Sequence, residues 1–579
     1  MEVTTILVKT RSRFEPQLQR PKARGPLILP QGRAREIAPL VGGIGLSEDQ
    51  GQTLKRVWPD SLQKLSPQSP LIVESDAVYA GNIALNSLNK WHEQLLQGSL
   101  TELSGAFALA WQTGPESLLL LRDPMGERTL FYARCGAGLI FASSLDLLLQ
   151  TGLIPRQLNL DVLTRYLSYA YLPGRETLIQ GVFELLPGEK LNWQAGQIHT
   201  ASYWQLPTAE SELNPETAQQ GLREAIEVAV ERRLPPQEAV CASLSGGIDS
   251  SLVVALLARL SPRPVHTWSV SFGKAYRNEL PFSQAVAEAY QTQHRVLEVH
   301  PRTVLYFLDE TLALLGNPIG DPLTVPNALL FRAASEVGPV LFNGEGGDPL
   351  FGGPKNIPML LALLYASEDQ DPVSSTVMTY LQSYRKLYND LPELLNASTQ
   401  AALTPDLLKT DLRPWFDAEA GKSLVQKLMT VNTRLKGAHH ILYKVNALSR
   451  GLGMLPASPL FDSEVAKWAF RVPPQLKLMG SEEKYILKQA VSDLLPEQVL
   501  KRPKSGMQVP VELWFRPGGP LHREAKKRLK NLARYPWFNP VYLNQLMAWE
   551  LGGYLPRHGL KVWILLSLEA WLRHYLGPP

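Results

Sequence analysis

The chain has 579 residues, more than a single hydrophobic core accommodates, so we expect it to divide into two domains. Its 45% of hydrophobic and 19% of charged residues are typical of a soluble globular protein. No apolar run approaches the roughly 18 residues of a membrane span, and a net charge of +4 does not indicate a nucleic-acid partner. Only Cys135 and Cys241 occur as cysteines and no secretory leader is recognisable, so we expect a cytoplasmic protein.

Short apolar runs separated by turn residues dominate the first part of the chain, after a start that predicts little beyond a strand at 5–8. Runs of this kind are typical of β-strands. They predict strands at 71–73, 105–111, 117–121, 129–133 and 139–142, followed by helices at 145–149 and 160–171. The pattern ends near Trp204, before a polar stretch typical of a linker. We therefore predict a mainly β domain over residues 1–206.

Strands and helices alternate in the second part of the chain, which we predict to be one domain over residues 214–579. Asn214 is suited to cap a helix, with Pro215 at the first helical position and Glu216 in the first turn. The order that follows is strand 239–244, helix 250–260, strand 265–270, helix 282–291 and strand 339–343. This alternation predicts an α/β fold with a doubly wound parallel sheet, and from residue 359 the apolar spacing becomes mostly helical.

A glycine-rich turn separates the first of these strands from its helix, with the sequence Ser-Gly-Gly-Ile-Asp-Ser-Ser at 245–251. Glycines allow close approach of the backbone to an anion, and the N-terminus of the helix offers unpaired N–H groups. The residues predicted to hold pyrophosphate are Ser245, Gly246, Gly247, Asp249, Ser250 and Ser251. The absence of the phosphate-loop lysine disfavours a kinase or GTPase, and Asp249 suits Mg²⁺. The alternative is a plain Gly-Gly turn with a helix cap.

The first motif resembles that of the ATP-pyrophosphatase superfamily, whose members form acyl-adenylates and release pyrophosphate. A second motif, Asn-Gly-Glu-Gly-Gly-Asp-Pro-Leu-Phe-Gly-Gly at 343–353, resembles the asparagine synthetase signature S-G-E-G-x-D-E-L-F-G-G. Asp348 offers a second carboxylate to Mg²⁺, which prefers few carboxylates together with phosphate oxygens. Glu345 occupies the position at which asparagine synthetases keep glutamate, and a carboxylate there is suited to deprotonate an attacking amine. The alternative is a surface loop without a ligand.

Further segments extend the resemblance over residues 239–514. Residues 501–510 are similar to the family's R-x-K-x-G-F-x-x-P segment, while 459–462 and 484–488 fit its P-F-L-D and K-x-I-L-R segments. The resemblance implies an adenine nucleotide alpha hydrolase-like synthetase domain that uses ATP and Mg²⁺. It implies that Lys504 stabilises charge near the α-phosphate. The residues that it places against the nucleotide are Leu244, Val270, Asn343 and Gly344.

The first domain resembles the amidotransferase half of the same family, through residues 105–108, 122–132 and 141–144. This implies an Ntn-type α+β sandwich. The family's nucleophile is a cysteine that follows Met1, and here Glu2 stands in that place. The glutamine-binding segment N-G-E-I-Y-N falls on 75–80, where only Tyr79 is kept. We therefore expect a structural remnant or a substrate-docking platform without glutaminase activity.

Two positions bear on the carboxylate substrate. Family members that use aspartate usually carry E-x-R before P-F-L-D, but Leu455 and Ala457 occupy those positions, which makes free aspartate doubtful. His439 and His440 lack further ligands at zinc-like spacing and are expected on a helix surface. The basic run at 526–530 is expected on a solvated helix face.

These inferences predict an ATP-dependent, amide-forming carbon–nitrogen ligase. Its substrates would be a small-molecule or peptide carboxylate and an amine donor, with a precursor peptide or partner protein as a further expectation. Three alternatives stay open: a lasso-peptide-type macrolactam cyclase, an ammonia-dependent asparagine synthetase, and a scaffold that binds nucleotide without turnover.

Overall fold

The computed structural model describes residues 6–7, 40–57, 71–97, 99–208, 213–276, 278–353, 359–361, 372–383, 386–417, 422–480, 482–502, 506–552 and 557–579. Within these ranges no helix is long and apolar enough to cross a membrane.

The first region contains eleven strands and four helices among its described residues. The strands are β1 (Ile6–Leu7), β2 (Val41–Ile44), β3 (Leu71–Ala80), β4 (Ile83–Ala84), β5 (Leu103–Gly114), β6 (Ser117–Arg122), β7 (Phe131–Cys135), β8 (Gly138–Ala142), β9 (Val182–Glu184), β10 (Glu189–Gln194) and β11 (Gln197–Ser202). The helices are α1 (Glu48–Val57), α2 (Leu88–Gln97), α3 (Leu145–Gln150) and α4 (Leu160–Tyr169).

The second region contains mainly helices and one larger sheet. Its strands are β12 (Val240–Ser243), β13 (Val265–Ser271), β14 (Gln293–Glu298), β15 (Val340–Phe342), β16 (Leu455–Ala457), β17 (Leu478–Met479) and β18 (Glu482–Glu483). The helices associated with the sheet are α5 (Pro215–Glu231), α6 (Ile248–Leu260), α7 (Leu280–Ala289), α8 (Pro301–Leu315), α9 (Thr324–Ser335) and α10 (Gly347–Leu350).

A helical part completes the second region. Its helices are α11 (Pro372–Ser383), α12 (Leu391–Leu394), α13 (Ala397–Ala401), α14 (Leu407–Asp417), α15 (Leu424–Val431), the π-helix Asn432–Leu442, α16 (Tyr443–Gly451), α17 (Ser463–Arg471), α18 (Pro474–Lys477), α19 (Tyr485–Ala490), α20 (Glu497–Leu500), α21 (Val511–Phe515), α22 (His522–Leu532), α23 (Pro540–Ala548) and α24 (His558–Tyr575).

The first region is a sandwich of two antiparallel sheets, with strand orders β1-β2-β8-β7-β9 and β11-β10-β6-β5-β3-β4. Side chains alternate across each strand. In β5, Ala108 and Ala110 point into the core between the sheets, whereas Phe107 points outward and packs on Trp91 of α2. Helices α3 and α4 cover the outer face of the other sheet. The predicted Ntn-type α+β sandwich is confirmed.

The larger sheet of the second region is parallel, with strand order β14-β13-β12-β15-β16. The order reverses between β12 and β15, which makes this the point where loops from adjacent strands diverge and leave a crevice. Cys241 of β12 faces the core that contains α8 and α9, whereas Val240 and Ala242 face the core that contains α5 and α6. The predicted doubly wound α/β fold is confirmed. Strands β14 and β16 were not predicted.

Buried ion pairs join the two regions. Arg233, which follows α5, has its guanidinium 3.0 Å from Glu127 Oε1 and 2.7 Å from Asp462 Oδ2. All three side chains are at most 5% exposed. Glu74 of β3 pairs in the same way with Arg450 of α16. The interface between the regions therefore includes buried opposite charges as well as apolar contacts.

The expectation of a surface position for the two histidines was wrong. His439 is buried, and its Nδ1 lies 3.1 Å from Glu184 Oε2 of the first region. The expectation for the basic run was wrong at Arg528, which is buried with Nη1 2.7 Å from Asp309 Oδ1. In both cases the partner is distant in sequence, so the helical pattern alone does not reveal it.

Candidate functional site

A cavity of about 460 Å³ opens at the carboxyl ends of β12 and β15, at the strand-order reversal of the parallel sheet. Its volume is ordinary for a site that holds a small-molecule ligand. Loops that follow the two strands form much of its wall, and the segment around α19 and the residues on either side of 503–505 close it.

The loop after β12 is held in shape by its own hydroxyls. Ser245 N–H donates to Ser250 Oγ at 3.2 Å, and the two hydroxyl oxygens are 3.0 Å apart. Gly246 has a φ of 74° and lies against α7, where an added Cβ would be 2.5 Å from Ser283 N. Only glycine is tolerated in so close an approach. The loop thus presents backbone and hydroxyl groups to the cavity at the N-terminus of α6, a favourable place for an anion.

The loop after β15 packs directly on the first loop. A Cβ at Gly344 would lie 2.3 Å from Ser250 N, and one at Gly347 would lie 2.0 Å from Asp249 Oδ1. Asn343 stabilises the turn, because its Oδ1 accepts from Glu345 N–H at 3.0 Å. These close contacts bring the carboxylates of the two loops to the same part of the cavity.

Lys484 connects those carboxylates. Its Nζ lies 2.5 Å from Asp249 Oδ2 and 2.5 Å from Asp348 Oδ1, and its side chain is only 3% exposed. Burial alone would lower the pKa of Lys484, but the two carboxylates raise it above its ordinary value. A cation is therefore stabilised between Asp249 and Asp348. Their hard oxygen donors, together with phosphate oxygens, also fit Mg²⁺.

Glu345 lies in the same wall, on the loop after β15. Burial raises the pKa of its carboxyl, Lys444 opposes this increase, and Asp348 and Asp321 add to it. A carboxylate with a raised pKa is a stronger base near neutral pH than an exposed one. Lys444 also lines the cavity, and its Nζ donates to Asp321 Oδ2 at 2.5 Å.

Arg502 joins a third segment to the first loop. Its Nη1 donates to Gly246 O at 2.8 Å, and its Nη2 pairs with Glu279. Its guanidinium also stacks over the ring of Phe282, 4.4 Å from the centroid. Lys504 lies outside the described residues, so its role stays a prediction.

The structure brings most of the sequence-predicted site residues together. Those that line the cavity are Leu244, Ser245, Gly247, Asp249, Ser250, Val270, Gly344, Glu345 and Asp348. Gly246, Ser251 and Asn343 do not line it. Ser251 is fully buried in α6, while Gly246 and Asn343 shape the loops from behind.

Sequence reasoning gave no role to Lys484, Lys444 or Arg502. Lys484 and Arg502 lie in segments that match the family motifs, so the motifs could have indicated both as candidate site residues. Lys444 lies outside the motifs considered, and only the folded structure places it beside Glu345.

A parallel sheet whose switch point carries a glycine-rich loop and a second acidic loop forms a site suited to an anionic ligand such as the phosphates of a nucleotide. Residues 221–573 match the model of the family described as asparagine synthase, and residues 81–204 match the one described as glutamine amidotransferase domain. The first match spans more than half of the chain, so the protein belongs to the asparagine synthase family of ATP-dependent carbon–nitrogen ligases.

Curated relatives align over most of the chain. A putative glutamine-hydrolyzing asparagine synthetase of Mycobacterium tuberculosis is 28% identical over 78% of this chain and 74% of its own. Glutamine-hydrolyzing asparagine synthetase 1 of Bacillus subtilis is 24% identical over 81% of this chain and 78% of its own. The amidase chry2 of Gibberella zeae is 22% identical over 76% and 75%.

Proposed function

We propose that the protein uses Mg-ATP to convert a carboxylate into an acyl-adenylate and passes the acyl group to an amine. In the first step a carboxylate oxygen attacks the α-phosphorus of ATP and pyrophosphate leaves. In the second step the amine nitrogen attacks the acyl carbon, AMP leaves, and one proton is released. The observation that supports this most is the convergence of Asp249, Asp348 and Glu345 on one cavity.

The first loop would hold the pyrophosphate through Ser245, Ser250 and the N–H groups at the start of α6. Asp249 and Asp348 would hold magnesium, which when bound neutralises phosphate charge. Lys484 stays protonated because its pKa is raised, so it is placed to accompany the leaving pyrophosphate. Lys504, by resemblance, would stabilise charge at the α-phosphate.

Glu345 would act in the second step. An amine is a nucleophile only when it is neutral, and it must lose a proton as the amide forms. The carboxylate of Glu345 would take that proton, and its raised pKa favours the transfer. Glu345 and Asp348 line the same cavity, so the base would lie close to the adenylate.

We also propose that the amine does not come from glutamine hydrolysis by this chain. Both cysteines are buried, and burial raises the pKa of each thiol, for Cys241 to about 12. The nucleophile of such a hydrolysis must instead be accessible and readily ionised. Glu74, next to the segment that would bind glutamine, is engaged by Arg450.

The first half-reaction is tested by exchange of labelled pyrophosphate into ATP with a panel of carboxylates. Asp249→Asn and Asp348→Asn should each lower the exchange on the order of 10²- to 10³-fold. The matched control is Asp406→Asn, which alters an exposed carboxylate outside the cavity and should change nothing. Exchange that persists in either cavity variant removes that residue from the metal site.

The amine source is tested by release of glutamate from glutamine in the presence of ATP and the best carboxylate. We expect none above the background of a mock purification, while ammonium supports amide formation. Glutaminase activity that elutes together with the protein in size-exclusion chromatography would contradict the proposal that the first region does not hydrolyse glutamine.

A further inference from the structure

A second cavity, of about 290 Å³, lies between the two regions. Leu186 and Pro187 of the first region contribute to its wall, and so do residues of the connecting segment 205–208. The second region contributes Arg434 and His439 from its π-helix. None of the described residues that line this cavity lines the 460 Å³ cavity of the candidate site, so the two cavities are separate.

The π-helix Asn432–Leu442 brings two polar side chains to the second cavity. π-Helices are rare, occur frequently at functional sites, and have hydrogen bonds that join residues five apart. Arg434 and His439 are five positions apart, so the π-helix places them on the same side, one turn from each other. In an α-helix of about 3.6 residues per turn they would point about 140° apart. The unusual helix therefore turns both side chains toward one cavity.

Arg434 uses only part of its hydrogen-bonding capacity. Its Nη1 donates to Pro124 O at 2.9 Å and to Pro187 O at 3.4 Å, and its Cζ lies 5.2 Å from the ring centroid of Trp204. Within the described part of the chain, its Nε and Nη2 have no hydrogen-bond partner, and no carboxylate forms an ion pair with it. Burial lowers the pKa of Arg434 to about 10, so its charge is held against a desolvation cost.

Arg122 of β6 is, by contrast, an arginine whose groups are all used by the fold. Its Nε, Nη1 and Nη2 each donate to a backbone carbonyl group, at 2.6 to 3.2 Å. It is fully buried, and its Nη1 also lies 2.8 Å from Glu184 Oε1. Buried charges are normally paired in this way. Arg434 therefore retains a charge and N–H groups that the fold leaves unsatisfied.

Two carboxylates could balance Arg434, but both are engaged. Asp123 acts on the charge of Arg434, yet its oxygens accept the N–H groups of residues 125–128 at 2.6 to 3.1 Å. Glu189 lines the second cavity, but Arg175 Nη2 lies 2.6 Å from its Oε1. Lys422 lines the cavity as well and adds positive charge. The balance of charge at this cavity therefore favours an anionic ligand.

His439 offers a second polar atom to the cavity. Burial alone would raise the pKa of Glu184, but Arg122 and His439 lower it below its ordinary value. Glu184 is therefore ionised and accepts a hydrogen bond from His439 Nδ1 at 3.1 Å, so Nδ1 carries a proton. The His439 side chain is 2% exposed, and its Nε2 makes no hydrogen bond with any described residue. That nitrogen is left for a polar group of a ligand.

We propose that the second cavity binds an organic carboxylate with an apolar body. Arg434 would hold the carboxylate through the N–H groups that the fold leaves unsatisfied, because a guanidinium matches the geometry of a carboxylate. The apolar body would lie against Leu206, Trp415 and Leu435, which line the same cavity. The ligand would contact both regions and would thereby stabilise their association. Binding at this site does not depend on the reaction proposed for the larger cavity.

The test is calorimetric titration of the full chain with 3-phenylpropionate and with 3-phenylpropanol, which has a similar shape but no charge. The acid should bind on the order of tenfold to a hundredfold more tightly. Arg434→Met should remove that preference. Arg471→Met is the matched control and should retain it. Arg471 also lies over a tryptophan ring, 5.2 Å from the centroid of Trp468, but it is exposed and lines neither cavity.

Hydrogen–deuterium exchange of the wild-type protein locates the acid. It should slow exchange in peptides that cover 202–208 and 430–439, and it should leave peptides that cover 245–251 and 343–348 unchanged. Protection of the latter pair instead would make the acid a ligand of the larger cavity and overturn the inference.

Equal affinities for the acid and the alcohol overturn the inference too, and so does a preference that survives in Arg434→Met. If that variant does not fold, the wild-type titrations and the exchange pattern give the same decision. The proposed reaction is read separately, in the pyrophosphate exchange assay, so its failure would leave this result unaffected.

Discussion

Both the cavity and the interface between the regions contain a cation that lies between two carboxylates. In the cavity, Lys484 lies between Asp249 and Asp348, and the Asp348 side chain is 40% exposed. At the interface, Arg233 lies between Glu127 and Asp462, which are each 5% exposed. The first arrangement lines the cavity, from which another cation can enter, whereas the second is almost fully buried between the two regions. The same charge pattern therefore lines a cavity in one place and joins two regions in the other.

The nature of the cation reinforces this difference. A lysine ammonium is a compact point charge that another cation can replace, while the arginine guanidinium fixes the geometry of two carboxylates at once. The interface also uses Arg450 with Glu74, next to the segment that would bind glutamine in an amidotransferase. We infer that charges of the first region that would face a ligand instead hold the regions together.

The largest effect is expected at Glu345. A substitution there tests whether adenylation and amine capture are separate steps. Glu345→Gln keeps the volume and removes the base, so amide formation with ammonium should fall by about 10²- to 10⁴-fold. Pyrophosphate exchange should stay near the wild-type value, because the adenylate forms before the base acts. Both rates are measured with the carboxylate that gives the highest exchange.

Lys504→Met should affect the two reactions differently from Glu345→Gln. A residue that stabilises charge at the α-phosphate acts in adenylation, so exchange and amide formation should fall together. If Glu345→Gln loses exchange as completely as Lys504→Met, Glu345 belongs to nucleotide or metal binding, and the base must lie elsewhere in the cavity.

Loss of the buried Arg233 side chain at the interface is expected to destabilise the folded protein. Arg233→Met leaves Glu127 and Asp462 buried without their shared cation, which should lower the free energy of unfolding by about 3 to 5 kcal/mol. The measurement is urea unfolding followed by tryptophan fluorescence at neutral pH.

Arg223→Met is the control, because Arg223 also bridges two carboxylates, Glu227 and Asp493, but its partners are 36% and 63% exposed. Solvent screens such a pair, so its loss should cost at most about 1 kcal/mol. An Arg233 variant that is no less stable than this control would show that the interface charges contribute little, and the contrast between the two regions would disappear.

The parts of the site that could be predicted from sequence are local. The loops at 245–251 and 343–353 follow strands, are rich in glycine, and carry their carboxylates within a few residues. A strand, a tight turn and a helix leave few alternatives for where those carboxylates point. The parallel sheet was predictable for the same reason, because each of β12, β13 and β15 is a short buried run followed by a helix.

The parts that could not be predicted depend on contacts between distant residues. Lys484 lies in a segment that matches a family motif, but it is 235 positions from Asp249, and no local pattern indicates that its ammonium lies between two loops. Strand β16 is only three residues long and becomes a strand by pairing with β15. His439 has an apolar, helical neighbourhood in the sequence, and its partner Glu184 lies in the other region.

The smallest effect is expected in the pH dependence of stability. It compares the buried His440 beside the cavity with an exposed histidine at the surface. Burial lowers the pKa of His440 from 6.5 to about 4, so the unfolded chain takes up a proton at this residue between those values and the folded chain does not. Stability should therefore fall as the pH decreases from about 6.5 to 4. The shift corresponds to at most about 3 kcal/mol, and that part of the pH dependence should be lost in His440→Gln.

Asp321 and Tyr171 contact His440, Lys444 and Lys436 lower its pKa, and all four residues remain in that variant. Unfolding midpoints of wild type and variant are compared across the pH range, so that contributions from other histidines cancel. His199→Gln, at an exposed position of β11, serves as the control and should leave the wild-type dependence intact. Parallel curves for wild type and His440→Gln would show that His440 takes up its proton in the folded protein as well. The cavity wall beside Asp321 and Lys444 would then carry one more positive charge in acid.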